Sequence, residues 1–173
     1  MHILSRFKLV TTFVFDMDGV LTDGSILIDN ENNWLRKMNI RDGYALQLAA
    51  KSGYRIVVIS GSASPSVQQR LNRLGVSDVF MNVTDKAGFL KRYMEENNIS
   101  TDELLFMGDD IPDFLCMQMA GIAACPSDAA LEIREMASYI SNFSGGNGCV
   151  RDVIEKVLKL NGHWSLQNNI PST

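Results

Sequence analysis

The chain has 173 residues, of which 46% are hydrophobic, and its mean hydropathy is −0.01. This composition provides one substantial hydrophobic core and excludes a largely disordered chain. The net charge of −4 at pH 7, the sequence pI of about 5.1 and the lack of any Lys or Arg run argue against general nucleic-acid binding. We therefore predict a single domain over residues 1–173.

The sequence also disfavours membrane spans, disulfides and zinc sites. No apolar run approaches the roughly 18 residues of a membrane span, and the N-terminal residues lack the apolar stretch and cleavage site of a signal peptide. The three cysteines, Cys116, Cys125 and Cys149, are odd in number and show no C-x-x-C spacing. We expect a cytoplasmic protein whose thiols are buried.

Short apolar runs alternate with helix-like segments along the chain. The runs are rich in Val, Ile and Phe and lack polar alternation, which is typical of parallel strands buried on both faces. They cover residues 11–16, 55–60, 78–83, 104–109 and 121–126. Helices are predicted between them at residues 41–51, 64–75 and about 84–97. The alternation predicts an α/β fold, a Rossmann-like open parallel sheet with helices on both faces.

Residues 25–39 break this alternation. They contain two short strand-like stretches around a polar turn at residues 29–33, which predicts a β-hairpin projecting from the top of the sheet. Asp23 stands just before the hairpin. The sequence leaves two roles open for it, a cap for the turn or a carboxylate that faces a ligand.

Polar and charged residues follow four of the predicted strands at their carboxyl ends. They are Asp16 and Asp18, then Ser60, then Lys86, and finally Asp109, Asp110 and Asp113. Ligands bind at this edge of an open α/β sheet. Carboxylates gathered there from two strands would repel one another unless a cation held them, and oxygen-only ligation suits Mg²⁺. The sequence therefore predicts a magnesium site.

The pair Asp16 and Asp18 also suggests a nucleophile. Residues two apart on an extended segment face the same side, so both carboxylates can address one phosphoryl group. Asp16 would attack and form an aspartyl-phosphate, while Asp18 would transfer protons. Lys86 and Mg²⁺ would neutralise the phosphate oxygens, which would accept hydrogen bonds from the Ser60 hydroxyl and the Gly61 N–H.

The motifs DMDGVLTDG, ISGS, the single Lys86 and GDDIPD occur in the order of the haloacid dehalogenase superfamily of phosphotransferases. The chain resembles this superfamily from Phe13 to about Leu158. The resemblance implies that Asp16 is nucleophile and metal ligand, and that Asp18 is the acid/base with its backbone carbonyl on Mg²⁺. It further implies the other metal-site residues, which are Asp109 as third protein ligand and Asp110 and Asp113 as supports of the metal shell.

A narrower resemblance is to the capless subclass that hydrolyses 3-deoxy-D-manno-octulosonate 8-phosphate. It rests on FDMDGVLTDG, NIRDGYAL, VISGSAS, VTDK, GDDIPD and GGNGCVR, and on a hairpin where many superfamily members carry a cap domain. It implies a Mg²⁺-dependent phosphomonoesterase that releases the free sugar acid and phosphate in lipopolysaccharide precursor synthesis. The residues implied to contact substrate are Asp18, Asn39, Ile40, Arg41, Asp42, Gly43, Gly61, Ser62, Arg70 and Lys86.

One position departs from this family. Its members often have Arg directly after the Ser/Thr-Gly pair, where this chain has Ser62. The related phosphatases of nine-carbon sugar acid 9-phosphates, of the nononate or sialic acid type, tend to have Glu there and Lys where this chain has Arg73. The combination favours the eight-carbon substrate and leaves the nine-carbon substrate as the alternative.

The hairpin is unusually apolar for a projecting arm, which is typical of an interface. Its apolar residues are Ile26, Leu27, Ile28, Trp34, Leu35 and Met38. The resembling family forms tetramers through this hairpin, which implies a homotetramer whose hairpins help to form each substrate pocket. The resemblance also leads us to expect that the segment GGNGCVR is a mobile closure, although its glycines alone indicate a flexible turn. Residues 161–173 are expected to form a C-terminal tail.

Simpler interpretations remain for several of these residues. Ser60 could be an ordinary strand-end residue, and Arg41 and Arg70 could be solvated helix charges. His2 and His163 lie near the termini, which argues against a histidine base.

Two other classes of function are disfavoured by the order of the motifs. In a phospho-receiver module the paired acids and the phosphorylated Asp lie on different strands and the Lys follows them, whereas here Lys86 precedes Asp109. A non-catalytic sugar-phosphate binding module would be expected to lack Asp16 or Asp18, and both are present. The sequence therefore predicts an enzyme.

Overall fold

The computed structural model describes residues 2–165, which contain a six-stranded sheet and a separate two-stranded hairpin. The strands of the large sheet form where β-branched and aromatic residues run together, because such side chains pack well on a pleated surface buried on both faces. The strands are β1 Thr12–Phe15, β2 Leu27–Ile28, β3 Trp34–Leu35, β4 Arg55–Ile59, β5 Asp78–Phe80, β6 Leu104–Met107, β7 Ile122–Cys125 and β8 Tyr139–Ile140.

Helices connect the strands and begin at recognisable caps. The Asn39 side chain accepts a hydrogen bond from the Arg41 amide, the Asp85 side chain accepts one from the Gly88 amide, and Pro65 occupies a first helical position. The helices are α1 Ile3–Phe7, α2 Ile40–Lys51, α3 Pro65–Arg73, α4 Lys86–Glu96, α5 Phe114–Met119, α6 Leu131–Met136 and α7 Cys149–Leu160.

The topology of the large sheet creates a crevice at its centre. The strand order is β5-β4-β1-β6-β7-β8, and all neighbours are parallel. From β1 the chain moves outward to β4 and β5 and then crosses back, so that β6 lies on the other side of β1. A ligand is expected at such a change of direction, beside the carboxyl ends of the strands. Here β1 and β6 end next to each other at that place.

Both faces of the sheet are covered by helices. Phe13 and Phe15 pack into a core with α2 and α7, whereas Val14 faces the opposite core with α4, α5 and α6. Successive side chains of β1 point to opposite faces of the sheet, and all four of them are buried. The predicted α/β fold with helices on both faces is confirmed.

The hairpin of β2 and β3 projects from the sheet as predicted. The Asp29 carboxylate accepts hydrogen bonds from the amides of Glu31 and Asn33 at 2.9 and 2.8 Å and closes the turn. Met38 packs against the core, and an isolated bridge to Thr22 ties the base of the hairpin to the rest of the chain. The exposed apolar side chains are Ile26, Leu27, Ile28, Trp34 and Leu35, which are 41–67% exposed.

Two strands differ from the prediction. The strand predicted over residues 78–83 ends at Phe80, because the chain turns at Asn82, whose φ is 56°. The strand β8, the sixth of the large sheet, was not predicted. It is a two-residue edge strand, and so short a segment has no apolar run for a pattern to detect.

The Gly-rich segment of residues 145–148 does not fit the expected mobile closure. A Cβ on Gly145 would lie 2.0 Å from the Gly19 carbonyl oxygen. The Gly146 amide donates to the Val20 carbonyl at 2.9 Å, and the Gly145 amide donates to the Asp128 carboxylate at 2.9 Å. The glycines therefore allow close packing against the loop after β1.

No helix within residues 2–165 has both the length and the apolarity to cross a membrane. Cys116, Cys125 and Cys149 are free and buried, as predicted. The predicted tail, residues 161–173, is described only as far as Ser165, and the rest lies outside the described residues.

Candidate active site

The loop after β1 holds Asp16 beside the end of β6. The Asp16 amide donates to the Met107 carbonyl at 3.0 Å, which continues the pairing of the two strands. Gly19 has a φ of 89°, and a Cβ there would lie 2.0 Å from Asp109 Oδ2. Only glycine fits such a position. The loop therefore brings Asp16 and Asp109 together at the central crevice.

Lys86 lies between two of the predicted carboxylates. It is the first residue of α4, and its Nζ donates to Asp16 Oδ1 at 2.7 Å and to Asp113 Oδ1 at 2.8 Å. Burial lowers the pKa of Lys86, but the negative charges of Asp16 and Asp113 outweigh this effect and hold the pKa above its ordinary value. Lys86 is therefore cationic in the site.

Asp16, Asp109 and Asp113 form an acidic cluster. One carboxylate oxygen from each lies within 4.8 Å of the others. Burial raises the pKa of Asp16 above its ordinary value, and the charge of Asp113 raises it further against the opposing effect of Lys86. The pKa of Asp109 is raised as well, mainly by burial and next by the negative charge of Asp16. Burial first, and then repulsion between the acids, therefore disfavours the charged form of both carboxylates.

The acidic cluster fits a divalent cation. Lys86 supplies one positive charge against three carboxylates, and an all-oxygen donor set is the one that Mg²⁺ prefers. Within residues 2–165 these three acids are the one group of at least three His, Cys, Asp or Glu side chains placed closely enough to hold a metal. The residues present therefore fit the predicted Mg²⁺.

Asp113 and Asp110 differ in their surroundings. Asp113 is buried, and its two oxygens accept hydrogen bonds from Lys86 Nζ and, at 3.1 Å, from the Asp109 amide. Asp110 is exposed, and its Oδ1 accepts a hydrogen bond from the adjacent Ile111 amide. Asp113 thus belongs to the cluster, while Asp110 acts on it through charge alone by raising the pKa of Asp109.

Asp18 has a charged partner that the sequence analysis did not identify. Arg36, which follows β3, donates from Nε to Asp18 Oδ1 at 2.6 Å and from Nη2 to Asp18 Oδ2 at 3.1 Å. Side chains two apart in an extended segment share a side, and Met38 packs on the core, which agrees with the inward direction of Arg36. This alternation gives a direction for Arg36 but not its contact with Asp18.

The loop after β4 contributes Ser60, Gly61 and Ser62. Ser60 is 2% exposed, and its Oγ accepts a hydrogen bond from the Ser62 amide at 3.1 Å. The Ser62 hydroxyl donates to Asp18 Oδ2 at 2.8 Å. Gly61 and Lys86 line one cavity of about 400 Å³. The structure therefore brings this loop to the same place as the acidic cluster.

The residues implied to bind the sugar are more dispersed. Arg41 lines a second cavity of about 460 Å³ with residues of α7. Asp42 is 2% exposed, and its Oδ1 accepts a hydrogen bond from the Arg151 amide at 2.8 Å in the first turn of α7. The Asp42 carboxylate is therefore engaged with a neighbouring helix, which does not fit the expected substrate contact.

The remaining members of this segment have mixed surroundings. Asn39 caps α2, and the Ile40 side chain is exposed. A Cβ on Gly43 would lie 3.3 Å from Arg70 Nη2, so α2 and α3 bring these two residues together.

Asp23 and the two histidines lie outside this arrangement of charges. The Asp23 carboxylate accepts a hydrogen bond from the Ser25 amide at 3.0 Å and pairs with Lys37 at 3.1 Å, which is the turn-capping alternative. His2 caps α1. The Nδ1 atom of His163 lies 2.9 Å from the hydroxyl of Tyr54. Tyr54 directly precedes β4 and Ser60 directly follows it, so His163 lies at the edge of the sheet opposite Ser60.

The chain is similar to known phosphatases over most of its length. Residues 75–153 match the haloacid dehalogenase-like hydrolase family. A 3-deoxy-D-manno-octulosonate 8-phosphate phosphatase of Salmonella typhi is 28% identical over 93% of this chain and 86% of its own length. The structure of the Yersinia pestis phosphatase of the same name is 25% identical, with a TM-score of 0.90 over 93% of this chain and 87% of that chain.

A structure of the Moraxella catarrhalis phosphatase is closer in sequence. It was solved with a magnesium ion, a phosphate ion and KDO, and it is 31% identical to this chain with a TM-score of 0.88. The similarity covers 91% of each chain. Identity of this level over nearly the whole length, together with the acidic cluster at the central crevice, agrees with both resemblances seen in the sequence. The chain therefore belongs to the 3-deoxy-D-manno-octulosonate 8-phosphate phosphatase family of the haloacid dehalogenase superfamily.

Proposed function

We propose that this protein is a Mg²⁺-dependent phosphomonoesterase that hydrolyses 3-deoxy-D-manno-octulosonate 8-phosphate to the free sugar acid and phosphate. The observation that carries the proposal is the contact of Lys86 with both Asp16 and Asp113 beside Asp109. The relative from Moraxella catarrhalis, which bound magnesium, phosphate and KDO, supports the choice of substrate and metal. The reaction would serve lipopolysaccharide precursor synthesis.

The residues of the central crevice divide the chemistry between them. An Asp16 oxygen attacks phosphorus, the bond from phosphorus to the sugar oxygen breaks, and Asp18 gives a proton to that oxygen. Water then attacks the phosphorus of the aspartyl-phosphate, the bond from phosphorus to the Asp16 oxygen breaks, phosphate is released, and Asp18 takes the proton from the water. Lys86 neutralises a phosphate oxygen, and the phosphate accepts hydrogen bonds from the Ser60 hydroxyl and the Gly61 amide.

Asp16, Asp109 and the backbone carbonyl of Asp18 would hold Mg²⁺, which supplies positive charge against the phosphate oxygens when bound. Asp113 supports the site, since both of its oxygens already accept hydrogen bonds from Lys86 and the Asp109 amide. Asp110 contributes negative charge from the rim.

The sugar acid would be contacted from the start of α2 and from the neighbouring loops. We assign Asn39, Ile40 and Arg41 to this surface because they lie at the exposed or half-exposed N-terminus of α2. Asp42 acts indirectly, because it fixes α2 against α7. The other residues proposed to contact substrate are Gly43, Arg70, Gly61, Ser62, Asp18 and Lys86.

A substrate panel tests this proposal. With Mg²⁺, we expect turnover of the eight-carbon sugar acid 8-phosphate at a kcat/KM at least about 10-fold above that of a nine-carbon sugar acid 9-phosphate. EDTA should stop the reaction, and Mg²⁺ should restore it. Preference for the nine-carbon substrate would identify the alternative function. Absence of released phosphate from every ester, with slow self-labelling, would instead indicate a receiver module.

We further propose a homotetramer assembled through the hairpins, in the cytoplasm, where the free cysteines stay reduced. The exposed Ile26, Ile28 and Trp34 support this assembly because adjoining apolar side chains usually mark an interface. Replacing all three with Ser should yield monomers or dimers in light scattering. Leu131→Ser, at an exposed apolar residue of α6, is the control that should keep the tetramer. A wild-type monomer with full activity would refute the assembly.

A further inference from the structure

Arg36 is a buried, charged side chain that has no part in the reaction steps proposed for the other residues. Its side chain is 1% exposed, although it belongs to the hairpin segment whose apolar residues are largely exposed. Two of its nitrogens donate to the two oxygens of Asp18. Such a bidentate, charge-assisted contact fixes both the distance and the plane of a carboxylate. The base of the hairpin is therefore fastened to Asp18.

Asp18 contacts other side chains besides Arg36. Its backbone is extended, with φ −81° and ψ 120°, and its side chain is 30% exposed. Its other partners are the hydroxyls of Ser62 at 2.8 Å and Thr22 at 3.4 Å, each on a single oxygen. Arg36 is the partner that engages both oxygens.

We propose that Arg36 is a positioning residue, which holds the Asp18 carboxyl group in the orientation from which it protonates the departing oxygen. This inference rests on the proposed function. As the Asp16 oxygen bonds to phosphorus and the bond to the leaving oxygen breaks, the electron pair stays on that oxygen, which receives the proton of the Asp18 carboxylic acid. The Asp18 carboxylate that remains has both of its oxygens in contact with Arg36, as in this structure. A sugar alkoxide requires this proton, whereas p-nitrophenolate departs without one.

Ser62 and Arg36 belong to one arrangement. The Ser62 Oγ accepts a hydrogen bond from Arg36 Nη2 at 3.2 Å, and the same hydroxyl donates to Asp18 Oδ2. Arg36, Ser62 and Asp18 therefore contact one another directly. Within residues 2–165, Arg36 Nη1 is buried and has no hydrogen-bond partner. Such a donor is unfavourable for folding, as expected of a residue retained for function.

The test compares leaving groups in Arg36→Gln. The kcat/KM is measured with Mg²⁺ for the sugar acid phosphate, for glucose 6-phosphate as a neutral sugar phosphate, and for p-nitrophenyl phosphate. This parameter reports steps up to departure of the leaving group. We expect kcat/KM to fall by about 30-fold or more for both sugar phosphates, and by less than about 3-fold for the aryl phosphate, because only the sugars need general acid catalysis.

Two further variants keep the test interpretable. Arg36→Lys retains the charge but offers a point contact in place of the planar fork, so it should recover part of the sugar-phosphate activity. If Arg36→Gln fails to fold, as judged by its thermal denaturation, the same comparison is made with Arg36→Lys against wild type. Lys37→Gln is the matched control, since Lys37 is next in the hairpin and its side chain is 70% exposed. It should change all three values by less than about 2-fold.

Three results would overturn the proposal. Equal losses with all three esters would mean that Arg36 supports the fold of the site generally. A loss confined to the sugar acid phosphate would mean that Arg36 contacts the substrate carboxylate, and no loss would remove it from the reaction. Failure of the wild type on the sugar acid phosphate alone would refute the proposed substrate, while the comparison of glucose 6-phosphate with the aryl phosphate would still decide the role of Arg36.

Discussion

The protein buries carboxylates in two regions that treat charge differently. At the carboxyl ends of β1 and β6, Asp16 and Asp113 share one lysine, Lys86, beside the third carboxylate of the cluster, Asp109. Between α2 and α7, Asp42 is buried and forms no salt bridge with any residue of 2–165, and its Oδ1 accepts a hydrogen bond from the Arg151 amide at 2.8 Å. The first region brings several charged side chains together, whereas in the second region one carboxylate accepts a hydrogen bond from a backbone amide in the first turn of α7.

The difference between the regions shows what burial alone does to an acid. Burial raises the pKa of Asp42 to about 6, and the amides of Arg151 and Gly148 offset this only in part. Within residues 2–165, Asp42 Oδ2 has no hydrogen-bond partner. Its desolvation is therefore a cost of helix packing. In the acidic cluster the same cost yields a site that favours binding of a cation and phosphate.

Removing Asp16, the proposed nucleophile, should have the largest effect. Asp16→Ala leaves no carboxylate to attack phosphorus, so kcat should fall by at least about 10³-fold. Steady-state phosphate release with Mg²⁺ measures the loss. Asp102→Asn, at an exposed acid before β6, is the control and should retain activity. Substantial turnover by Asp16→Ala would end its assignment as nucleophile.

Removing the lysine should expose the charge imbalance of the cluster. Lys86→Met leaves two buried carboxylates without their cation, and the free energy of unfolding should fall by about 3–5 kcal/mol in the absence of metal. Millimolar Mg²⁺ should recover part of this loss. Urea denaturation with and without Mg²⁺ measures both values. The exposed Lys91 of the same helix provides the control Lys91→Met, and an equal loss there would contradict the interpretation.

Mg²⁺ should stabilise the cluster through Asp109. At a concentration 100 times its dissociation constant, a bound ion adds about 2.7 kcal/mol to the free energy of unfolding. Asp109→Asn should lose most of this gain, whereas Asp110→Asn should keep most of it because Asp110 lies on the exposed rim. Thermal denaturation over a Mg²⁺ series measures the gain. A larger effect at Asp110 would reverse the proposed order of the two residues.

The Asp42 region should respond to pH and not to metal. Because folding raises the Asp42 pKa from 3.8 to about 6, the folded state binds the proton more tightly, and stability falls as pH rises through this interval. Asp42→Asn removes the titration and should gain about 2 kcal/mol relative to wild type between pH 4 and pH 7. Urea denaturation across this range measures the difference. A difference that does not change with pH would contradict the buried, titrating carboxylate.

The sequence predicted much of the acidic cluster because its residues follow strands, and strand ends meet wherever a parallel sheet forms. Asp16, Lys86, Asp109 and Asp113 could be placed together in this way. Arg36 could not, because its contact with Asp18 depends on how the hairpin folds back. The Asp42 contact similarly depends on the packing of α7, a long-range arrangement that no local pattern encodes.

The sequence by itself determined the α/β fold, the hairpin and the order of the catalytic motifs, because apolar periodicity and turn residues act over a few neighbours. Only the tertiary structure decided that the Gly-rich segment of residues 145–148 packs tightly against the loop after β1. Only the tertiary structure also decided that Lys86 pairs with Asp16 and Asp113, whereas the buried Asp42 accepts a hydrogen bond from an amide at the start of α7. Those outcomes depend on distances between elements far apart in the chain, where burial and charge act through space.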